Sequence, residues 1–129
     1  MPVTIERMRQ ISAAFNSRDV ERIVDCFHDD GVFCLSRGPE AVGRTLKGKA
    51  AIRKALADRF SQIPDMRWEN EEYILAPPDR AISVWFVRGK GADGEDLNYQ
   101  GCDIYTFDAR DKIAHKNTFW KIVQTRELL

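Results

Sequence analysis

The chain has 129 residues, 43% of them hydrophobic, and its 20 acidic residues balance 20 basic ones to give a net charge of zero. This length suits one domain, which we expect to span residues 1–129. Nucleic acids and anionic membranes select a basic excess, so neither is expected as a partner. No apolar run approaches the roughly 18 residues of a membrane span, and the segment MPVTIERMRQ lacks the apolar core of a signal peptide.

The three cysteines, Cys26, Cys34 and Cys102, are odd in number and embedded in apolar segments. This usage predicts reduced core thiols in a cytoplasmic protein. Neither a CxxC nor an HxxxH spacing occurs, so the sequence predicts no metal site, and nothing in it points to a cofactor.

The first half of the chain predicts three helices. Thr4 can cap the first and Asp19 the second, and the third follows Gly48. Apolar residues recur at helical spacing in each helix: Ile5, Met8, Ile11 and Phe15, then Val20, Ile23, Val24 and Phe27, then Ile52, Ala55, Leu56 and Phe60. Between the second and third helices, residues 32–36 predict a short strand, and the glycine-rich residues 37–48 predict a loop.

The second half predicts four strands, at residues 66–75, 80–90, 96–107 and 112–123. The short breaks between them, PPD, ADG and DARD, are rich in turn-forming residues, so neighbouring strands should form antiparallel hairpins. Helices followed by a meander of strands indicate an α+β domain with the helices on one face of the sheet.

Asp103 lies in the middle of the third of these strands. Because side chains alternate along a strand, it shares a face with three aromatic residues, Tyr99, Tyr105 and Phe107. That face carries the larger apolar side chains of the strand, so we place it against the helices. A carboxylate there must be paired or neutral, and either state indicates a ligand site. The alternative is an Asp103 exposed at the rim, or a purely structural ion pair with Arg88 or Lys116.

Alternation does not assign the faces of the strands at 80–90 and 112–123, because both faces of each are partly apolar. Apolar residues on both faces suggest that a second subunit covers the outer one. We therefore expect a homodimer that uses Trp85, Ile104, Ile113 and Phe119 as its interface.

Three stretches, DVERIVDCFHDDGVF, GKAAIRKAL and GCDIYTFDARDKI with FW a few residues on, resemble in order and spacing a known group of proteins. This group is the SnoaL-like and ketosteroid-isomerase-like branch of the nuclear transport factor two-like superfamily. The resemblance covers nearly the whole chain. It implies a cone-shaped, strongly curved antiparallel sheet wrapped around three N-terminal helices (a cystatin-like α+β barrel), a pocket at the open end, and a homodimer. Family members include isomerases, cyclases, dehydratases, epoxide hydrolases and non-catalytic binding domains, so the fold alone does not give the function.

The segment from Phe86 to Trp120 is similar to ketosteroid isomerase without gaps. In that comparison Asp103 takes the position of a protonated aspartic acid that is one of the hydrogen-bond donors of the oxyanion hole. Phe86 and Trp120 take positions in the pocket wall. The comparison also implies that further side chains point inward: Arg88, Tyr99, Tyr105, Lys116 and Thr118.

The chain departs from the isomerase at the other functional positions. The general-base aspartate falls at Leu35, the oxyanion-hole tyrosine at Ile11, and the supporting tyrosines at Phe27 and Leu56. Proton transfer between two carbons needs a base on one side and donors opposite, so steroid isomerase chemistry is not expected. The epoxide-hydrolase branch needs an Asp–Arg–Asp set whose last member falls at Asn117, so that chemistry is not expected either.

These residues predict a SnoaL-like small-molecule enzyme of cyclase, isomerase or dehydratase type. Asp103 would act as the acid/base group on an apolar, cyclic ligand that bears a carbonyl or a carboxylate. The ligand-binding residues would be Leu35, Phe86, Arg88, Tyr99, Tyr105, Lys116 and Trp120. The alternative is a non-catalytic ligand-binding or dimerisation domain of the same fold.

Overall fold

The structure is a computed structural model that describes residues 2–91, 94 and 96–123. Helix α1 spans Ile5–Ser17, α2 spans Val20–Val24 and α3 spans Lys49–Gln62. Both predicted caps are confirmed, because the Thr4 side chain accepts a hydrogen bond from the Arg7 amide and Asp19 accepts one from the Arg22 amide. Within these residues no helix is long and apolar enough to cross a membrane.

The described residues form a sheet of six strands: β1 Phe27–Cys34, β2 Thr45–Lys47, β3 Arg67–Ala76, β4 Arg80–Lys90, β5 Asp96–Phe107 and β6 Ile113–Trp120. Their order across the sheet is β2-β1-β6-β5-β4-β3. The pair β1–β6 is parallel, and the other neighbours are antiparallel. The sheet is curved and unclosed, and the helices precede most of it in the chain, which confirms the α+β cone predicted above.

The sequence placed β3 to β6 well and β1 and β2 poorly. Helix α2 ends at Val24, earlier than the predicted Phe27, because Phe27 already pairs with Ile113 as the first residue of β1. The segment predicted as a loop contains β2, which pairs with the end of β1. The predicted turn at 92–94 lies mostly outside the described residues. That residues 1–129 form a single domain stays a prediction.

The inner face of the sheet carries the odd-numbered residues of β5, as predicted. Asp103, Tyr105 and Phe107 are buried there. Strand β4 pairs with β5 so that Ser83 lies opposite Asp103 and Trp85 lies opposite Gly101. Opposed residues point to the same face, so the inner face of β4 also carries its odd-numbered residues: Ala81, Ser83, Trp85 and Val87.

This register corrects two predictions. The inward placement of Phe86 and Arg88 is wrong, because even-numbered residues of β4 lie on the outer face. There the Arg88 guanidinium lies over the Phe86 ring and donates to Glu69 on β3.

The predicted interface is also partly wrong. Trp85 is 2% exposed and Ile113 is 0% exposed, so both belong to the interior of this chain. Two members of the predicted set remain on the outer face, since Ile104 is half-buried and Phe119 is 48% exposed.

Candidate functional site

The inner face of the sheet and the helices enclose a cavity of about 230 Å³. Its wall is mainly apolar and aromatic, with contributions from α1, β1, α3, β3 and β6. The apolar lining residues are Phe15, Phe33, Leu35, Ala55, Leu56, Phe60, Met66, Trp68 and Trp120. A mostly apolar concavity with a few polar groups is the usual form of a small-molecule site, and this volume lies below the roughly 300–1,000 Å³ of drug-sized pockets. The cavity therefore suits a small ligand.

Two polar residues of β6, Lys116 and Thr118, reach the cavity wall. Both are buried, at 4% and 8% exposure, and they alternate with outward-facing Asn117 along the strand. Alternation alone did not assign the faces of this strand, and the structure shows that Lys116 faces the cavity.

Asp103 lies behind these two residues and is not part of the cavity wall. Lys116 Nζ donates to Asp103 Oδ1 at 2.6 Å, and the Thr118 hydroxyl donates to the same oxygen. The other oxygen, Oδ2, accepts from Trp85 Nε1 at 2.8 Å and from the Ser83 hydroxyl at 3.3 Å. Four donors on two oxygens match an ionised carboxylate, which can only accept. The arrangement is thus the opposite of the isomerase's protonated, donating aspartic acid.

Gly101 makes the contact between Trp85 and Asp103 sterically possible. A Cβ added at Gly101 would lie 2.8 Å from two carbons of the Trp85 ring and 2.4 Å from the Phe119 carbonyl oxygen. The absence of a side chain lets the indole lie across β5 and place its N–H on the carboxylate two residues further along that strand. The glycine opposite a tryptophan was the signal in the sequence that could have identified Trp85 as a partner of Asp103.

The Lys116 ammonium is surrounded by aromatic rings as well as by Asp103. Its Nζ lies 4.2 Å from the centroid of the Phe33 ring, 5.0 Å from that of Phe15 and 5.7 Å from that of Tyr105. Ring faces attract a cation at these distances. Burial lowers the pKa of Lys116, while the adjacent Asp103 carboxylate acts in the opposite direction by favouring the charged form. The same burial raises the pKa of Tyr105 well above its usual value, and the charge of Asp103 adds to that effect.

A second, smaller void of about 20 Å³ lies on the other side of the lysine. Asp103 and Lys116 line it together with Glu71, whose carboxylate accepts from the hydroxyls of Ser12 and Tyr73. A void of this size with polar walls can hold about one water molecule. Asp103 can therefore exchange a proton with the main cavity through Lys116, or with a water in this void.

The predicted ligand-binding residues divide into three groups by position. Leu35, Lys116 and Trp120 line the cavity. Tyr105 is buried beside Asp103 in the smaller void, and Tyr99 faces inward but stacks on Trp120, with 5.5 Å between the ring centroids. Phe86 and Arg88 lie on the opposite face of the sheet. Whether the well-placed residues bind a ligand stays a prediction.

Sequence reasoning missed two cavity-lining cations. Arg37 follows β1 and Arg59 lies in the last turn of α3, and both approach the ring of Trp120. Arg37 lies in the segment predicted as a loop and Arg59 lies in the third helix, so the sequence did not connect either residue to a strand 60 or more residues away.

The described residues contain no group of three His, Cys, Asp or Glu side chains that could hold a metal ion.

The chain resembles known proteins in sequence and in structure. The sequence model of the SnoaL-like domain matches residues 8–116, which is most of the chain. A search of curated proteins finds no match.

Solved structures share the fold at low sequence identity. A proposed polyketide cyclase from Pseudomonas putida KT2440 is 17% identical, with a TM-score of 0.80 over 95% of this chain and 93% of that one. A proposed polyketide cyclase from Xanthomonas campestris pv. campestris is 15% identical, with a TM-score of 0.78 over 90% and 88% of the two chains. TerC, co-crystallised with polyporic acid, is 23% identical, with a TM-score of 0.74 over 91% and 90%.

Proposed function

Because the chain belongs to the family of SnoaL-like domains, we propose that it is a small-molecule enzyme of cyclase, isomerase or dehydratase type. Its ligand would be apolar and cyclic and would bear a carbonyl or a carboxylate. The single observation that carries the proposal is an aromatic-lined cavity whose wall includes Lys116, itself bonded to buried Asp103. The similar structures from Pseudomonas and Xanthomonas, both proposed polyketide cyclases, agree with this class of reaction.

In this proposal Asp103 and Lys116 divide the acid/base work. Lys116 would first pass a proton to Asp103 along their hydrogen bond. The neutral amine of Lys116, which reaches the cavity, would then take the proton from the carbon next to the carbonyl. The ammonium that forms would stabilise the negative charge left on the carbonyl oxygen, and Asp103 would act as the acid/base group by holding and returning the proton of Lys116. Burial favours such chemistry because it strengthens the electrostatic interaction between the ammonium and a developing enolate.

The experiment is α-proton exchange in D₂O, followed by NMR, on cyclic ketones selected from a thermal-shift screen against the wild-type protein. The proposal expects the wild type to accelerate exchange of the protons next to the carbonyl. Lys116→Met should abolish the acceleration, and Asp103→Asn should reduce it. Exchange that is equally fast in Lys116→Met would contradict the role given to this pair.

The alternative is a non-catalytic ligand-binding domain, and one observation favours it. Both oxygens of Asp103 are already occupied by donors from Ser83, Trp85, Lys116 and Thr118, which leaves little capacity to take a further proton. Under this alternative the ketones would bind to the wild type without any exchange above the rate in buffer.

We also propose that the protein forms a homodimer through the outer face of the sheet. The proposal is supported by apolar residues that remain accessible on this face of a single chain. Phe119 and Ile74 are 48% and 53% exposed, and Ile104 and Phe86 are half-buried. A partner subunit would cover this apolar surface.

A further inference from the structure

The charged residues in the wall of the main cavity all have the same sign. Arg37, Arg59 and Lys116 line it, and among the described lining residues there is no Asp or Glu. Low-dielectric walls with one sign of charge concentrate ligands of the opposite sign. The cavity therefore favours an apolar molecule that carries a negative charge.

The cations lie at two ends of the cavity. Lys116 is 4% exposed and forms the inner end, whereas Arg37 is exposed and Arg59 is half-buried. The two guanidinium carbons lie 5.3 Å and 5.8 Å from the centroid of the Trp120 ring. On β6, Trp120 is four residues from Lys116, which corresponds to about 13 Å at about 3.3 Å per residue. The arginines thus mark the mouth of the cavity, separated from Lys116 by the apolar middle of the wall.

We infer that Arg37 and Arg59, whose guanidinium groups lie over the ring of Trp120, form a carboxylate-binding subsite at the mouth of the cavity. The apolar rings of the ligand would fill the cavity, and the end remote from the carboxylate would approach Lys116. Guanidinium groups suit a carboxylate, which accepts several hydrogen bonds at once. Both arginines have other interactions as well, so the carboxylate would share their donors. The inference rests on the proposed function, since it requires that the cavity bind a small molecule.

The test compares two probes of the same shape, 2-naphthoate and the neutral 2-naphthamide, by isothermal titration. The wild type should bind the carboxylate at least tenfold more tightly than the amide, and added salt should reduce this preference. Arg37→Gln and Arg59→Gln should each reduce the preference several-fold. Arg110→Gln, which changes an exposed arginine in the turn before β6, is the control and should leave the preference unchanged.

The ratio of the two affinities is measured on one variant at a time, so a general loss of stability does not imitate the expected result. Equal binding of the two probes to the wild type would overturn the subsite and leave the proposed function standing. A preference that survives in the arginine variants but disappears in Lys116→Met would place the carboxylate at the inner end and would also overturn the subsite. If neither probe binds, both the subsite and the proposed ligand site are contradicted.

Discussion

The Lys116 ammonium lies 2.6 Å from an oxygen of Asp103, and both side chains are only 5% exposed. A buried ion pair is held in place by the cost of breaking it, because removal of one partner leaves the other charge desolvated. Asp103 keeps three neutral donors when the lysine is lost, but Lys116 has Asp103 as its charged partner. The stability and the proposed chemistry of the site therefore depend on the same contact.

The costs of replacing Lys116 and Asp103 should be less than additive. Lys116→Met leaves a buried carboxylate without a counter-ion and should lower the free energy of unfolding by about 3–5 kcal/mol. In the double variant, Lys116→Met with Asp103→Asn, the charge is also removed. The double variant should be more stable than the sum of the two single effects predicts, by about 1–3 kcal/mol. Urea denaturation of all four proteins measures this coupling, and strict additivity would show that the two charges do not interact.

Two of the inward-facing tryptophans, Trp85 and Trp120, should differ in their contribution to stability. Trp85→Phe removes the donor to Asp103 Oδ2 and should lower the free energy of unfolding by about 1.5–3 kcal/mol, as expected for a bond to a charged group. Trp120→Phe is the matched control, because its N–H has no partner within the described residues. It should cost less than Trp85→Phe. The reverse order in denaturation experiments would contradict the hydrogen-bond assignment.

Because Tyr105 is buried, we expect the free energy of unfolding to decrease at alkaline pH. Burial raises the pKa of its phenol in the folded protein well above the value of 10.0 of an exposed tyrosine. Above about pH 10 the unfolded chain loses this proton while the folded protein keeps it. The contribution of Tyr105 is therefore full below pH 10 and falls as the pH rises above it.

Tyr105→Phe should remove this component. The difference in unfolding free energy between wild type and variant should change by up to about 1.4 kcal/mol per pH unit above pH 10. Below pH 9 the difference should be flat. A difference that stays constant up to pH 11 would mean that Tyr105 ionises as readily in the folded protein as in the unfolded chain.

A dimer that forms through the outer face of the sheet should dissociate when one charged residue is introduced there. Phe119→Asp places a carboxylate in the middle of the proposed interface and should give a monomer by light scattering at micromolar concentration. Val42→Asp is the control, because Val42 is 59% exposed in the loop before β2 and is not among the residues of the proposed interface. A wild-type protein that is already monomeric would contradict the dimer.

The predictable part of the site came from alternation along one strand. The heavy odd-numbered face of β5 placed Asp103 and Tyr105 on the inner side, and the structure agrees. Alternation does not carry over to a neighbouring strand, because the register between strands is a tertiary property. For β4 the choice was therefore made from a resemblance, which put Phe86 and Arg88 on the wrong face. The pairing of Trp85 with Gly101 shows that the odd-numbered residues of β4 are the ones that face inward.

The charges at the cavity mouth were not predictable for a different reason. Arg37 and Arg59 belong to a loop and a helix that are distant in sequence from Trp120, and only the tertiary structure brings them to its ring. The extent of β1 was missed because HDDG reads as the end of a helix, whereas the parallel pairing of β1 with β6 makes it a strand. Both features depend on contacts across the whole chain.

Filling the cavity tests directly whether it is the ligand site. Ala55 lines the cavity, and Ala57 lies two residues further along α3 and is exposed. Binding of 2-naphthoate, and of the best cyclic ketone from the thermal-shift screen, should be measured by titration calorimetry on Ala55→Trp, Ala57→Trp and the wild type. A ligand site in this cavity predicts that Ala55→Trp loses binding at least tenfold while Ala57→Trp binds like the wild type. Unchanged binding to a folded Ala55→Trp would contradict it.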